Sequence, residues 1–152
     1  MTNYTYVRKA SLAKGNVSAM DQNIENLANA TNSKSTGNRP YDLEGRTACF
    51  GEAVIQFLRT LPVDVITSPL IDQLVRSSTS VGANYCEADD AASKRDFRHR
   101  ISICKKESRE TKYWFRMMGA AVPDCKPRAR VLWQEAKELH LIFSAIWRRI
   151  KL

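Results

Sequence analysis

Nowhere does the chain string together roughly 18 consecutive apolar residues, so a membrane-spanning helix is not expected. Residues 1–20 also lack the continuous apolar stretch of a secretory signal, because Arg8, Lys9 and Lys14 interrupt it, and a cytoplasmic location follows. Cysteine is sparse: Cys49, Cys86, Cys104 and Cys125 are widely spaced with no C-x-x-C pair, which argues against a zinc site or a redox motif. There are only two histidines, and three residues before each stand Asp96 and Lys137. The Glu-x-x-His pairs that hold metal in di-iron bundles are therefore missing. No G-x-S-x-G elbow and no glycine-rich phosphate loop occurs, and Ser77, Ser78 and Ser80 sit among small residues with no histidine nearby in sequence. Neither an enzyme nor a cofactor or metal site is expected.

What the chain does have is length for one core and a surplus of positive charge. Its 152 residues are 43% hydrophobic, enough for a single compact domain. The net charge is +8, of which residues 1–40 carry +3 and the remainder +5. That surplus permits an anionic partner but also serves solubility. Residues 16–39, rich in Asn, Ser, Thr, Ala and Gly and without a sustained apolar period, read as tail, and Ser33 to Asn38 as a linker. Residues 1–40 are accordingly expected to form a flexible N-terminal extension and residues 41–152 a folded domain.

Four helical segments of about 20 to 28 residues, roughly 30 to 42 Å long, follow Tyr41. Asp42 is a suitable N-cap for the first, whose seam is Leu43, Thr47, Phe50, Val54, Phe57 and Leu61 before Pro62 stops it. Ser68-Pro69 suggests a hydroxyl cap and first-turn proline for the second. Its seam of Ile71, Leu74, Ser78, Val81, Tyr85 and Ala88 is poor in bulk and suited to close backbone contact. Ser93 and Asp96 resemble a capping box ahead of Phe97, Ile101, Cys104, Ser108, Thr111, Phe115 and Met118. After Pro123 the fourth repeats the pattern at Leu132, Ala136, Leu139, Phe143, Ile146 and Ile150. Short connections between such helices predict an all-α fold, an antiparallel up-down-up-down four-helix bundle.

Three segments in order, Tyr41-Asp42-Leu43-Glu44-x-Arg46-Thr47, Gln73-Leu74-Val75-Arg76-Ser77-Ser78 with Ser80-Val81-Gly82-Ala83-Asn84-Tyr85-x-Glu87-Ala88, and Lys106-Glu107-Ser108-Arg109-Glu110-Thr111-x-Tyr113-Trp114, carry a resemblance. They resemble the four-helix bundle proteins of the 23S rRNA intervening-sequence family, from Tyr41 to about Ile150. Proteins of that family are often encoded within insertions in bacterial 23S rRNA genes. They are similar to accessory variability proteins of diversity-generating retroelements, ring-like homopentamers whose basic surfaces engage nucleic acid or a reverse transcriptase. The resemblance implies a bacterial, self-associating bundle, a pentamer, with no established enzymatic activity. The first 40 residues and the basic turn with Lys126, Arg128 and Arg130 depart from the family pattern, which suggests a free-standing homologue.

Two constellations stand out as sites. Lys105, Arg109, Lys112 and Arg116 recur at four-three-four spacing on the third helix, and Arg95 and Arg98 extend that line. Like charges at these spacings repel, so the stripe points to an external phosphate backbone, of RNA or DNA; the competing reading is a solvated face neutralised by acids from a neighbouring helix or subunit. Asn84, Glu87, Glu107 and Glu110 are expected to form a structural polar network with Arg76, Arg109 or backbone groups, since buried carboxylates need partners. The tryptophans read first as packing or interface anchors, with stacking on unpaired bases as the alternative. A purely structural module serving a protein partner is the competing function.

Overall fold

The computed structural model describes residues 42–151, so the expected extension over residues 1–40 lies outside the described residues. Four helices follow: α1 (Leu43–Leu58), α2 (Thr67–Asp89), α3 (Lys94–Ala121) and α4 (Lys126–Arg149), the last preceded by a 3₁₀ turn at Pro123–Cys125. There is no strand among the described residues. Neighbouring helices pack in sequence order, and α1 also meets α4, which closes the bundle. No described helix is long and apolar enough to cross a membrane.

The helix starts show how local chemistry sets boundaries. Asp42 accepts the Gly45 N–H at 2.7 Å, and the Ser93 hydroxyl accepts the Asp96 N–H at 3.1 Å, so both expected caps are present. At α2 the expectation was Ser68, and the structure corrects it. Asp64 accepts from the N–H groups of Ile66 and Thr67, each at 2.8 Å, while the Thr67 hydroxyl donates to the Pro62 carbonyl at 2.8 Å. A carboxylate is a stronger acceptor than a hydroxyl and suits a helix N-terminus, and the bonds from Thr67 and then Ile66 hold its pKa below the ordinary value.

Helix α1 has 16 residues, shorter than its seam suggests. Its final turn tightens: the Thr60 and Leu61 N–H groups bond to the carbonyls of Phe57 and Leu58, each at 3.1 Å. Pro62 disfavours helical geometry at Leu61, yet Leu61 remains buried and completes the seam.

The seams meet in one core. Phe50, Phe57, Phe143, Leu74, Ile101, Met118, Leu132 and Leu139 are fully buried, and each contributes roughly 1.5 to 3 kcal/mol by leaving water. Tilted ring pairs join α1 to α3 through Phe57 and Phe115, 5.9 Å apart, and α2 to α4 through Tyr85 and Phe143, 5.8 Å apart. The small residues of α2 serve close approach: a Cβ on Gly82 would stand 3.4 Å from Thr47 Oγ1. Between α2 and α3 the buried Thr111 hydroxyl bonds Ser77 Oγ at 3.0 Å. Cys104 lies in this core, where burial pushes its thiol up to about 12 and leaves it unreactive.

Candidate nucleic-acid interface

The six cations of the α3 stripe do not share one environment. Arg95, Arg109 and Arg116 are exposed, whereas Arg98, Lys105 and Lys112 are half-buried against α4. The Arg98 guanidinium lies 4.5 Å and the Lys105 ammonium 4.3 Å from the centre of the Trp147 ring. Farther along, the Lys112 ammonium is 5.9 Å from the Trp133 ring, and Lys137 of α4 approaches the same indole at 5.8 Å. Rising positions on α3 thus meet falling positions on α4, giving a ladder of cation–π contacts.

Helix geometry explains why α4 supplies these partners. Trp133, His140 and Trp147 recur every seven residues, one position beyond the seam residues Leu132, Leu139 and Ile146. The row therefore runs beside the core along the α3 boundary, half-buried throughout. His140 Nδ1 sits 3.0 Å from the Lys105 carbonyl. A carbonyl only accepts, so Nδ1 carries the proton.

The electrostatics of the ladder are one-sided. Among the described residues none of the six stripe cations has a carboxylate within ion-pair distance. The acids of α4 face elsewhere: Glu135 and Glu138 accept from Arg46 of α1 at 2.6 and 2.8 Å. Glu87 pairs instead with Arg100, a cation outside the stripe. Burial, then the charges of Arg109 and Lys137, hold the Lys112 pKa below its ordinary value. An arriving anion would relieve that crowding. The Arg98 Nε is buried and has no hydrogen-bond partner among the described residues.

The four polar-network residues sit on α2 and α3, where Glu107 and Glu110 share one groove. Asn84 Nδ2 donates within its own helix to the Ser80 carbonyl at 2.9 Å, and Glu110 accepts from Trp114 Nε1 at 3.2 Å. Glu107 and Glu110 line a groove between α2 and α3 with Arg76 and Lys106, while Glu87 is exposed near Arg100. Burial, followed by the charge of Glu110, pushes the Glu107 carboxyl above its ordinary pKa. Each residue has a local partner or neighbour; direct hydrogen bonds do not join the four. Among the described residues no cluster of three or more His, Cys, Asp or Glu side chains stands ready for a metal ion.

Two features went unread in the sequence. The Arg46–Glu135–Glu138 cluster joins residues 89 and 92 positions apart, which no local spacing reveals. The indole row had a visible signal, its seven-residue period, but the cations it meets lie on another helix.

A family model described as 23S rRNA-intervening sequence protein matches residues 46–122, which takes in most of α1 and all of α2 and α3. The indole row of α4 lies beyond the matched residues. None of the curated proteins matches the chain. Among solved structures it is similar to a protein of unknown function from the S23 ribosomal protein family of Bacteroides thetaiotaomicron. The two share 22% identity and a TM-score of 0.60, over 68% of this chain and 96% of that one, a likeness of fold.

Proposed function

Because the chain belongs to the 23S rRNA-intervening sequence protein family, we propose that it is a non-catalytic protein that binds nucleic acid along α3 and its border with α4. The observation that carries this reading is the stripe itself. Six cations line one helix without a carboxylate in ion-pair range among the described residues, and three of them rest on indoles. A face built for solvation alone would gain from interspersed acids, and here the acids of α4 turn toward Arg46 instead. Phosphates would supply the missing negative charge. The bundle in this reading is antiparallel, up-down-up-down, and assembles as a homo-oligomer, a pentamer by the family's likeness to retroelement accessory proteins. Repetition of a weak patch around such an assembly would raise apparent affinity by roughly 10² to 10⁴.

Lys105→Glu combined with Arg109→Glu tests the surface. Titration with single-stranded RNA at several salt concentrations should show weaker binding and a log–log salt slope reduced by about 1.4, the share of two phosphate contacts on a single strand. Unchanged affinity and slope would remove the stripe from the interface.

A second reading, a scaffold for a protein partner, draws on the connection between α1 and α2. Val63, Val65 and Ile66 are 76%, 86% and 61% exposed there, on a turn fixed by Asp64 and Thr67. An oligomer that binds no RNA at physiological salt would favour that reading.

A further inference from the structure

The ladder of cations ends at a groove of a different kind. Near the end of α3 and the start of α4 lies a mainly apolar hollow of about 550 Å³. Among the described residues its half-exposed aromatic surface is Trp133, flanked by the ammonium groups of Lys112 and Lys137. Small residues keep it open. Gly119 has no Cβ, which would stand 3.4 Å from the Lys126 stem, and Ala120 and Ala129 add only methyl groups. Arg116, Lys126 and Arg130 form its rim, all three exposed, and among the described residues no acid lines it.

An apolar floor with an indole and a wholly cationic rim matches one ligand chemistry: a flat aromatic heterocycle attached to phosphates. We propose that this groove receives an unpaired base of single-stranded nucleic acid, stacked against Trp133, while Arg116, Lys126 and Arg130 hold its flanking phosphates. A base within a duplex keeps its faces stacked on its neighbours and cannot offer one to the indole. The face therefore selects single strands, or duplexes with an unpaired end, over continuous duplex. This deepens the nucleic-acid reading above and rests on it.

The test compares a single RNA strand of about 20 nucleotides, long enough to span the ladder, with a blunt duplex of the same sequence. Wild-type protein should prefer the single strand, with quenching of tryptophan fluorescence on binding. Trp133→Leu should lower single-strand affinity about 5- to 150-fold, the range one stacked base contributes, remove part of the quenching and lower duplex affinity by much less, so that the preference for the single strand shrinks. Ala120→Leu, which narrows the groove from an exposed position, should reduce the same preference and carries the test if Trp133→Leu fails to fold by circular dichroism. Equal affinity for strand and duplex, unaltered by the groove variants while Lys105→Glu with Arg109→Glu still weakens both, would overturn the base site and keep the interface. No binding to either RNA at low salt would overturn the interface itself.

Discussion

Glu135 is 3% exposed, and Arg46 reaches it from α1 with two nitrogens, at 2.6 and 2.9 Å, the fork geometry of a bidentate pair. The same guanidinium also holds Glu138. Removing the cation strands a buried carboxylate, so Arg46→Ala should lower unfolding free energy by about 3 kcal/mol in urea titrations. Pairing Arg46→Met with Glu135→Leu should recover most of that loss, since the desolvated charge goes with its partner. A loss in the double variant equal to that of Arg46→Ala would show that packing, not charge, dominates there. Arg46 was visible in sequence as part of a motif, but its partners were not. Glu135 occupies a place beside the seam where composition alone suggests solvent. The stripe cations show the same limit: their shared face followed from spacing, whereas their stacking on Trp147 and Trp133 required α4 to be in place.

At the scale of the element, four-three spacing located all four helices, and the observed burial follows it closely. Ser78, Ser108 and Thr111 are as buried as the leucines beside them, because a seam is set by geometry and small hydroxyls can bond their own helix. Helix α2 shows what its small residues do. Gly82 meets Thr47 and Gly51 meets Thr79, so α1 and α2 approach through side chains of little volume. Gly82→Leu should force them apart and lower stability by roughly 1 to 3 kcal/mol, measured by thermal or urea unfolding, while Gly82→Ala should be tolerated. Where the sequence misled, at the start of α2 and the end of α1, a short-range competitor decided. The Asp64 carboxylate out-competed the Ser68 hydroxyl, and Pro62 ended helical geometry before the apolar seam was exhausted.

For the whole molecule, the proposed avidity makes a definite demand on mass. Light scattering of purified protein should give about five times the 17.3 kDa of one chain, and dissociation to monomers should weaken RNA binding far more than any single stripe substitution. A monomer with full RNA affinity would sink the avidity mechanism and leave the stripe to act alone. Helix number, seam residues, two of the caps and the common face of the α3 cations were determined by sequence, because each depends on 3.6-residue periodicity or on groups a few positions apart. Tertiary structure alone decided that the α4 acids turn to Arg46, that the indoles take the cations, and that small residues from two helices enclose a groove beside Trp133. The physical reason is common to all three. Electrostatic and stacking energies depend on distances of a few ångströms between groups far apart in the chain, and only helix packing sets those distances.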